Sequence, residues 1–102
     1  PTPPTAVFCY NDLTAIGAIS ALHDAGRNVP RDVSVVGFDG INIGAHVSPP
    51  LTTVRQQLEQ LARLAVEMAL KGIRGAARPE RIVLPGQLVI RGSTARAPQG
   101  SP

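Results

Sequence analysis

The sequence predicts an α/β fold with a mainly parallel sheet flanked by helices, and three observations support this. Residues 6–9 and 33–38 are short apolar runs of the kind found in strands that are buried on both faces. The stretch between them has the apolar spacing of a helix, which completes a strand–helix–strand unit. Residues 57–75 form a second amphipathic segment with short apolar runs on either side, so helices and strands alternate along the chain.

The first helix is predicted to begin at Asn11 or Asp12 and to end at Gly26. Both side chains can accept a hydrogen bond from a free N–H group of the first helical turn, and glycine is common just after the last turn. Apolar side chains recur at every third position of this segment: Leu13, Ile16, Ile19 and Leu22. This spacing predicts a helix that packs on a sheet.

Residues 40–50 are predicted to form a loop that carries exposed apolar side chains. The sequence there contains two glycines and a Pro-Pro pair, yet it also contains Ile41, Ile43 and Val47. Exposed apolar residues on a loop of this length indicate a surface that contacts a partner. A short third strand is predicted at 51–54.

The second helix, over 57–75, has the clearest pattern in the chain. Its apolar positions follow helical spacing: Leu58, Leu61, Ala62, Ala65, Met68, Ala69 and Ile73. Charges of alternating sign lie four residues apart on another face, as on a solvated surface. Two further strands are predicted at 82–84 and 88–90, and residues 95–102 are predicted to be a disordered tail.

Composition limits the functions that this chain can have. Its 102 residues suit one domain, and 43% of them are hydrophobic, which excludes a disordered segment. The net charge is +3, but the arginines are scattered, so ordinary surface charge is favoured over a nucleic-acid surface. No run of 18 apolar residues is present, so the sequence predicts no membrane span.

Catalytic and metal-binding patterns are absent from the sequence. There is no nucleophile elbow, phosphate loop or His-Glu-x-x-His motif. His23 and His46 have no Cys or carboxylate nearby at metal-ligand spacing. Cys9 cannot form an internal disulfide and is interpreted as a buried, inert thiol. We therefore expect no enzyme, no metal and no cofactor.

Polar residues follow the first two predicted strands. Asn11 comes after the first strand and Asp39 directly after the second. Ligands of open α/β sheets bind beyond the carboxyl ends of the strands, so these residues are candidates for hydrogen bonds to a polyol. The alternative, equally open at this point, is that Asn11 only caps a helix and Asp39 only closes a turn. An acid/base pair of Asp12 and Asp39 is a less favoured possibility.

Four segments in the same order resemble motifs of the LacI/GalR family of bacterial transcription regulators. Residues 7–18 resemble its x-N-D-x-x-A-x-G-A segment, and residues 29–39 its V-P-x-D-x-S-V-x-G-F/Y-D-D segment. Residues 50–56 resemble P-x-L-T-T-V-x-Q, and residues 84–94 the closing L-P-x-x-L-V-x-R-x-S-T. The resemblance implies that residues 1–94 are the C-terminal part of a periplasmic-binding-protein-like type I effector domain.

In that family two lobes enclose an effector in a cleft, and an N-terminal helix-turn-helix binds operator DNA. The resemblance implies a cytoplasmic regulator whose helix-turn-helix and most of whose first lobe are absent from this chain. The helix over 57–75 would belong to that first lobe, and without it we expect the chain to dimerise, swap elements or repack this helix. An alternative with the same fold is a periplasmic-type sugar-binding protein of a transporter.

The resemblance also assigns binding roles to individual residues. Asn11 and Asp39 match positions that hydrogen-bond the effector, usually a sugar or similar small metabolite, and Gln56 matches a position at the cleft rim. Leu58 matches a ligand-binding position where many sugar-binding members present an aromatic ring, so the resemblance does not imply a sugar ring stacked at that point. Gly40 replaces the second Asp of the D-D pair, so any role of that carboxylate is lost here.

A homodimer is a further implication of the resemblance. Four residues match the family surfaces that pair two effector domains: Ile16, Ile43, His46 and Val47. This assignment agrees with the apolar residues that the sequence places on the 40–50 loop.

Overall fold

The computed structural model describes residues 2–75 and 80–99. Within the chain, two compact units are distinguished. The first contains residues 1–55 and 87–102, and the second contains residues 56–86.

The first unit is built on four short strands. These are β1 (Ala6–Phe8), β2 (Ser34–Val36), β3 (Thr53–Arg55) and β4 (Gln87–Val89). β1 and β2 pair in parallel, and β3 and β4 pair antiparallel. Parallel bridges from Val36 to Thr52 and from Asp39 to Arg55 join β2 to β3. The strand ladders thus form two two-stranded sheets, which these bridges connect in the order β1-β2-β3-β4. The prediction of a mainly parallel sheet is confirmed.

Helix α1 (Asp12–Asp24) connects β1 to β2 and covers one face of the sheet. Its buried apolar residues, Ala15 and Ile19, lie in the same core cluster as Val35 and Leu51. The sequence pattern predicted that Leu13 would share this face, but its side chain is 67% exposed. The short alanine side chain lets the helix approach the sheet closely, so the contact is made through Ala15 and Ile19.

The prediction that β1 is buried on both faces is wrong. Cys9 is buried at its carboxyl end, whereas Phe8 is 68% exposed. Successive side chains of a strand point to opposite faces, and within the part of the chain that the structure describes, α1 covers only the face of Val7 and Cys9. The apolar run predicted the strand correctly but not the exposure of its second face.

The loop after β2 contains one turn of 3₁₀ helix, Asn42–Ala45. Its backbone is held to the segment just before β3, because Leu51 N–H donates to the carbonyl of Gly44 at 2.8 Å. Ile43 is 52% exposed, as the sequence predicted for this loop, while Val47 packs against the core cluster.

The closing segment is hydrogen-bonded to the backbone of β2 through Ser93. Ser93 is fully buried, and its carbonyl accepts from Val35 N–H at 2.9 Å. Its hydroxyl donates to the carbonyl of Val35 and accepts from Thr52 N–H at 2.8 Å. Two residues on, Ala95 N–H donates to the Ser34 hydroxyl at 3.0 Å, so regular contacts extend into the start of the predicted tail. The last three tail residues, 100–102, lie outside the described residues.

The second unit consists mainly of helix α2 (Leu58–Ile73), which confirms the helix predicted over 57–75 to within two residues at its ends. None of its residues is buried. Leu64 and Met68 are half-buried, whereas the exposed large apolar residues range from Leu61 at 37% to Ile73 at 81%. Glu59 and Arg63 form the expected pair four residues apart, at 3.5 Å, and both side chains are solvated.

The strand predicted at 82–84 does not form. Residues 80–86 have no regular secondary structure, and the contact made there is a hydrogen bond from Gln57 Nε2 to the carbonyl of Pro85, 3.0 Å long. Three apolar residues in a row are too few to specify a strand when no neighbouring strand supplies backbone partners. The companion prediction at 88–90 is confirmed as β4, with its bounds shifted by one residue.

Residues 2–75 and 80–99 contain neither a membrane-spanning helix nor a cluster of metal ligands. No helix in these ranges is both long and apolar enough to cross a bilayer. In the same ranges, no three His, Cys, Asp or Glu side chains lie close enough together to hold a metal ion.

Candidate effector site

Asn11 occupies the N-cap of α1 with an extended backbone. Its Oδ1 accepts a hydrogen bond from Thr14 N–H at 2.9 Å, so the capping role considered from the sequence is confirmed. The side chain is half-buried. Capping uses the amide oxygen and leaves the Nδ2 donor for another partner, so the cap does not exclude a contact with a ligand.

Asp39 follows β2 in an uncommon backbone conformation. Its φ of 120° lies in a region that residues other than glycine seldom adopt. Its N–H donates to the carbonyl of Val54 at 2.9 Å, in the parallel bridge that joins β2 to β3. The extension of the sheet thus fixes the direction in which the backbone leaves β2.

A single backbone contact brings the loops of Asn11 and Asp39 together. Asp12 N–H donates to the carbonyl of Phe38 at 3.0 Å. Asn11 immediately precedes the donor and Asp39 immediately follows the acceptor, so the two candidate residues lie at one edge of the sheet. This edge is formed by the carboxyl ends of β1 and β2, as the sequence predicted for a ligand site in an open α/β sheet.

The structure gives Asp12 a different role from the acid/base pairing with Asp39 that the sequence left possible. Its side chain is fully buried, and both carboxylate oxygens accept hydrogen bonds. Oδ1 accepts from the Thr53 hydroxyl at 2.6 Å, and Oδ2 accepts from Ile41 N–H at 2.8 Å. A carboxylate held in this way has no access to a substrate, which argues against an acid/base pair with Asp39. The sequence alone does not indicate this role of Thr53, because its partner Asp12 lies 41 positions away.

Two glycines allow close backbone approaches at this edge. A Cβ on Gly37 would collide with Oδ1 of Asp12 and would lie 2.9 Å from Cδ2 of Leu51. Gly40 has a φ of 78°, and a Cβ there would lie 2.9 Å from the Cα of Arg55. The bridge between β2 and β3 therefore leaves no room for a side chain at position 40, which is a physical reason for Gly in place of the second Asp of the family motif.

Cys9 lies beside the chain's aromatic residues. It lines a surface cavity of about 280 Å³ together with Phe8, Tyr10 and Phe38. Burial raises the pKa of the Cys9 thiol, because the thiolate loses solvation there. A protonated, buried thiol is a poor nucleophile, which agrees with the inert role predicted for it.

The structure brings two of the four predicted dimer residues together. Ile16 of α1 and Val47 of the following loop line one cavity of about 190 Å³, and His23 lies on the same cavity. Ile43 and His46 are exposed on the 40–50 loop. The surface assigned from the family motifs is thus formed by α1 and this loop.

Gln56 and Leu58 belong to the second unit, at the beginning of α2. Both line a surface depression of about 510 Å³ with polar neighbours. Those neighbours are Gln57, Glu59, Gln60 and Arg63. Leu58 is 58% exposed, so an aliphatic side chain stands at the position where sugar-binding members of the family present a ring.

Comparison with known proteins identifies the family. A profile of the periplasmic binding protein-like domain matches residues 1–94. The similar curated proteins are HTH-type transcription regulators, and the similar solved structures include LacI-family regulators. The chain is a LacI/GalR-type periplasmic binding protein-like domain.

Among the relatives of this LacI/GalR-type domain is the HTH-type transcriptional regulator MalR of Streptomyces coelicolor. The two are 48% identical over 96 residues, which is 92% of this chain and 28% of MalR. The HTH-type transcriptional repressor PurR of Aliivibrio fischeri is 43% identical over 79 residues, 78% of this chain and 23% of PurR. The chain therefore spans about a quarter of the length of such relatives.

A solved structure gives the same family assignment. A LacI family transcriptional regulator from Arthrobacter, in complex with lactose, matches with a TM-score of 0.77 and 38% identity. The match covers 89% of this chain and 35% of that regulator. At this identity the likeness supports common ancestry as well as a common fold, and the relatives are named as regulators rather than as enzymes.

Proposed function

We propose that this chain is the effector-sensing and dimerisation part of a LacI-type transcription regulator. In the proposed mechanism a sugar or similar small metabolite binds the domain and changes the affinity of the complete regulator for operator DNA. The helix-turn-helix that would contact the operator lies outside this chain, and the regulator would act in the cytoplasm. The observation that carries the proposal is the placement of Asn11 and Asp39 at one edge of the parallel sheet.

The chemistry of this edge suits a polyhydroxylated ligand. The Asn11 Nδ2 group is a hydrogen-bond donor, and the Asp39 carboxylate offers charged acceptors for adjacent hydroxyls. Hydrogen bonds to a charged group contribute about 1.5–3 kcal/mol, and neutral ones about half as much. Gln56 and Leu58 are proposed, from the resemblance, to contribute at the rim of the effector cleft. The lactose complex of the Arthrobacter relative supports a sugar as the effector class.

The family relationship favours a regulator over the sugar-binding protein of a transporter. In both cases the ligand would stabilise one arrangement of a domain, but only a regulator must transmit this change to DNA. An effector shifts that equilibrium only through different affinities for the two states. Asn11 and Asp39 are proposed to supply part of this difference.

The proposal is tested on the complete regulator that contains this chain. A thermal-shift screen with lactose, cellobiose, galactose and glucose identifies a binding sugar, and titration calorimetry measures its affinity. Asp39→Asn keeps the size of the side chain and removes its charge, so we expect affinity to fall by about 10-fold or more. Asp24→Asn, at the exposed far end of α1, is the matched control and should leave affinity unchanged.

Two results would contradict the proposal. If no sugar or other small metabolite stabilises the complete regulator, the effector-sensing role is wrong. If a sugar binds and Asp39→Asn leaves its affinity unchanged, the regulator senses an effector but this residue does not contact it.

A further inference from the structure

Asp12 is a fully buried carboxylate that the proposed effector contacts do not use. Its Oδ1 accepts from the Thr53 hydroxyl at 2.6 Å, and its Oδ2 accepts from Ile41 N–H at 2.8 Å. A buried charge is costly unless hydrogen bonds replace its hydration. The position of Asp12 in the first turn of α1 adds a favourable contribution, because the amino end of a helix carries partial positive charge.

The two hydrogen bonds and the backbone of Asp12 join four segments of the chain. Asp12 is the first residue of α1, and Thr53 is the first residue of β3. Ile41 immediately precedes the 3₁₀ turn of the 40–50 loop. The backbone N–H of Asp12 also donates to the carbonyl of Phe38, two residues after the end of β2. One residue therefore fixes the relative positions of a helix, two strand ends and a loop.

These segments carry both surfaces that the proposed function requires. Asn11 and Asp39 are each one residue from the hydrogen bond between Asp12 and Phe38. The dimer residues assigned from the family lie on the same segments. Ile16 is one turn along α1, and Ile43, His46 and Val47 follow Ile41 in the loop.

We infer that Asp12 is a positioning residue that couples effector binding to the dimer surface. This inference rests on the proposed function. Asp12 does not contact the effector. Its backbone N–H holds the segments of Asn11 and Asp39 together, and its carboxylate holds the 40–50 loop through Ile41. A displacement of Asn11 and Asp39 on effector binding is therefore transmitted to the 40–50 loop through Asp12. Coupling of this kind is a free energy shared by two sites, and the effect of each site on the other is equal.

A carboxylate meets this requirement better than its neutral analogue. Both of its oxygens accept, and both of its present partners donate. In Asp12→Asn an NH₂ group replaces one of the two oxygens, so only one acceptor oxygen remains for two donors. If that oxygen accepts from Ile41 N–H, the Thr53 hydroxyl can no longer donate to the side chain. In Thr53→Val the side chain keeps its size and the carboxylate loses one donor.

The experiment measures the dimer dissociation constant of the complete regulator, with and without a saturating sugar. The sugar is the one that gives the largest thermal shift in the panel of lactose, cellobiose, galactose and glucose. Analytical ultracentrifugation supplies the constants, and their ratio measures the coupling. We expect wild-type protein to show a ratio of about 5-fold or more. Asp12→Asn and Thr53→Val should each lower the ratio towards 1.

The controls separate coupling from stability. Thr53→Ser retains the hydroxyl and should keep the wild-type ratio, and Asp24→Asn removes a carboxylate from the exposed end of the same helix. The double variant Asp12→Asn/Thr53→Val should have the same ratio as either single variant, because all three disrupt the same contact. A purely structural role would lower thermal stability and leave the ratio unchanged. If Asp12→Asn does not fold, the comparison of Thr53→Val with Thr53→Ser tests the inference by itself.

Three outcomes overturn the inference, and they can be distinguished from one another. Failure of wild-type protein to bind any small metabolite removes the proposed function, and the inference falls with it. If a sugar binds but the dimer constant is unchanged, the proposed effector site stands and the coupling is wrong. If wild type is coupled and Thr53→Val is equally coupled, Asp12 has no positioning role.

Discussion

Asp12 and Thr53 are joined by a 2.6 Å hydrogen bond between two fully buried side chains that lie 41 positions apart in the sequence. The bond connects the first residue of α1 to the first residue of β3. It links the two elements by a buried polar contact, whereas the hydrophobic core cluster consists of aliphatic side chains and Cys9. Its loss should therefore be measurable as a change in stability as well as in coupling.

Thr53→Val is expected to lower the free energy of unfolding by about 1–3 kcal/mol, because it leaves a buried carboxylate oxygen without its hydroxyl donor. Urea denaturation followed by circular dichroism measures the change. Thr53→Ser keeps the hydroxyl and should cost less than Thr53→Val. Equal costs for the two variants would show that packing of the methyl group, rather than the hydrogen bond, matters at this position.

Ser93→Ala should also lower the free energy of unfolding by about 1–3 kcal/mol. The substitution removes the donor to the Val35 carbonyl and the acceptor of Thr52 N–H, both at a fully buried site. Ser20→Ala, on the exposed surface of α1, is the control and should change stability by less than about 0.5 kcal/mol. A wild-type urea midpoint for Ser93→Ala would mean that the closing segment does not stabilise the edge of β2.

Substitutions of Asn11 should separate its capping role from its proposed contact with the effector. Asn11→Ala is expected to cost about 1 kcal/mol of stability, because Thr14 N–H loses its acceptor. Asn11→Ser supplies another capping oxygen and should restore most of that stability, yet it lacks the Nδ2 donor. We therefore expect Asn11→Ser to fold normally and to bind the sugar more weakly in titration calorimetry. Wild-type affinity in this variant would restrict Asn11 to capping.

Gly37→Ala and Gly17→Ala form a matched pair with opposite expected effects. A methyl group at position 37 would overlap with Asp12 and Leu51, so we expect a loss of about 1–3 kcal/mol in unfolding free energy. Position 17 lies in α1 with no atom near a built Cβ, so alanine should stabilise the helix by about 0.5–1 kcal/mol. Thermal denaturation of the two variants measures both changes. A stabilising Gly37→Ala would contradict the close packing of Asp12 against β2.

Helix α2 has an apolar stripe that includes the exposed residues Leu58, Leu61 and Ile73. This stripe predicts self-association of the 102-residue chain, through dimerisation or an exchange of elements between copies. Replacing Leu61 and Ile73 together by lysine should favour the monomer, since both are exposed apolar residues of that stripe. Gln60→Lys adds charge beside the stripe and serves as the control. Light scattering measures the molar mass of each variant. A well-behaved wild-type monomer would contradict this prediction.

Much of the local structure follows from the sequence because it depends on neighbours along the chain. The apolar spacing of α1 and α2, the Asn11 cap and the position of Asp39 after β2 are set by interactions over a few residues. The family motifs add the proposal that Asn11 and Asp39 bind the effector. The local elements and the proposed roles of Asn11 and Asp39 can be inferred from the sequence, because both depend on residue type and short spacing.

The tertiary structure decided which polar residues are buried and which apolar residues are not. The sequence does not predict that Asp12 and Ser93 are buried, but both are fully buried and hydrogen-bonded to partners that lie 29 to 58 positions away. Phe8 belongs to an apolar run, yet it is exposed because the strand has two faces and α1 covers only one of them. Residues 82–84 lack a strand because backbone pairing needs a second strand in reach. Local pattern thus determined the elements, and long-range hydrogen bonds and packing determined how those elements hold the site.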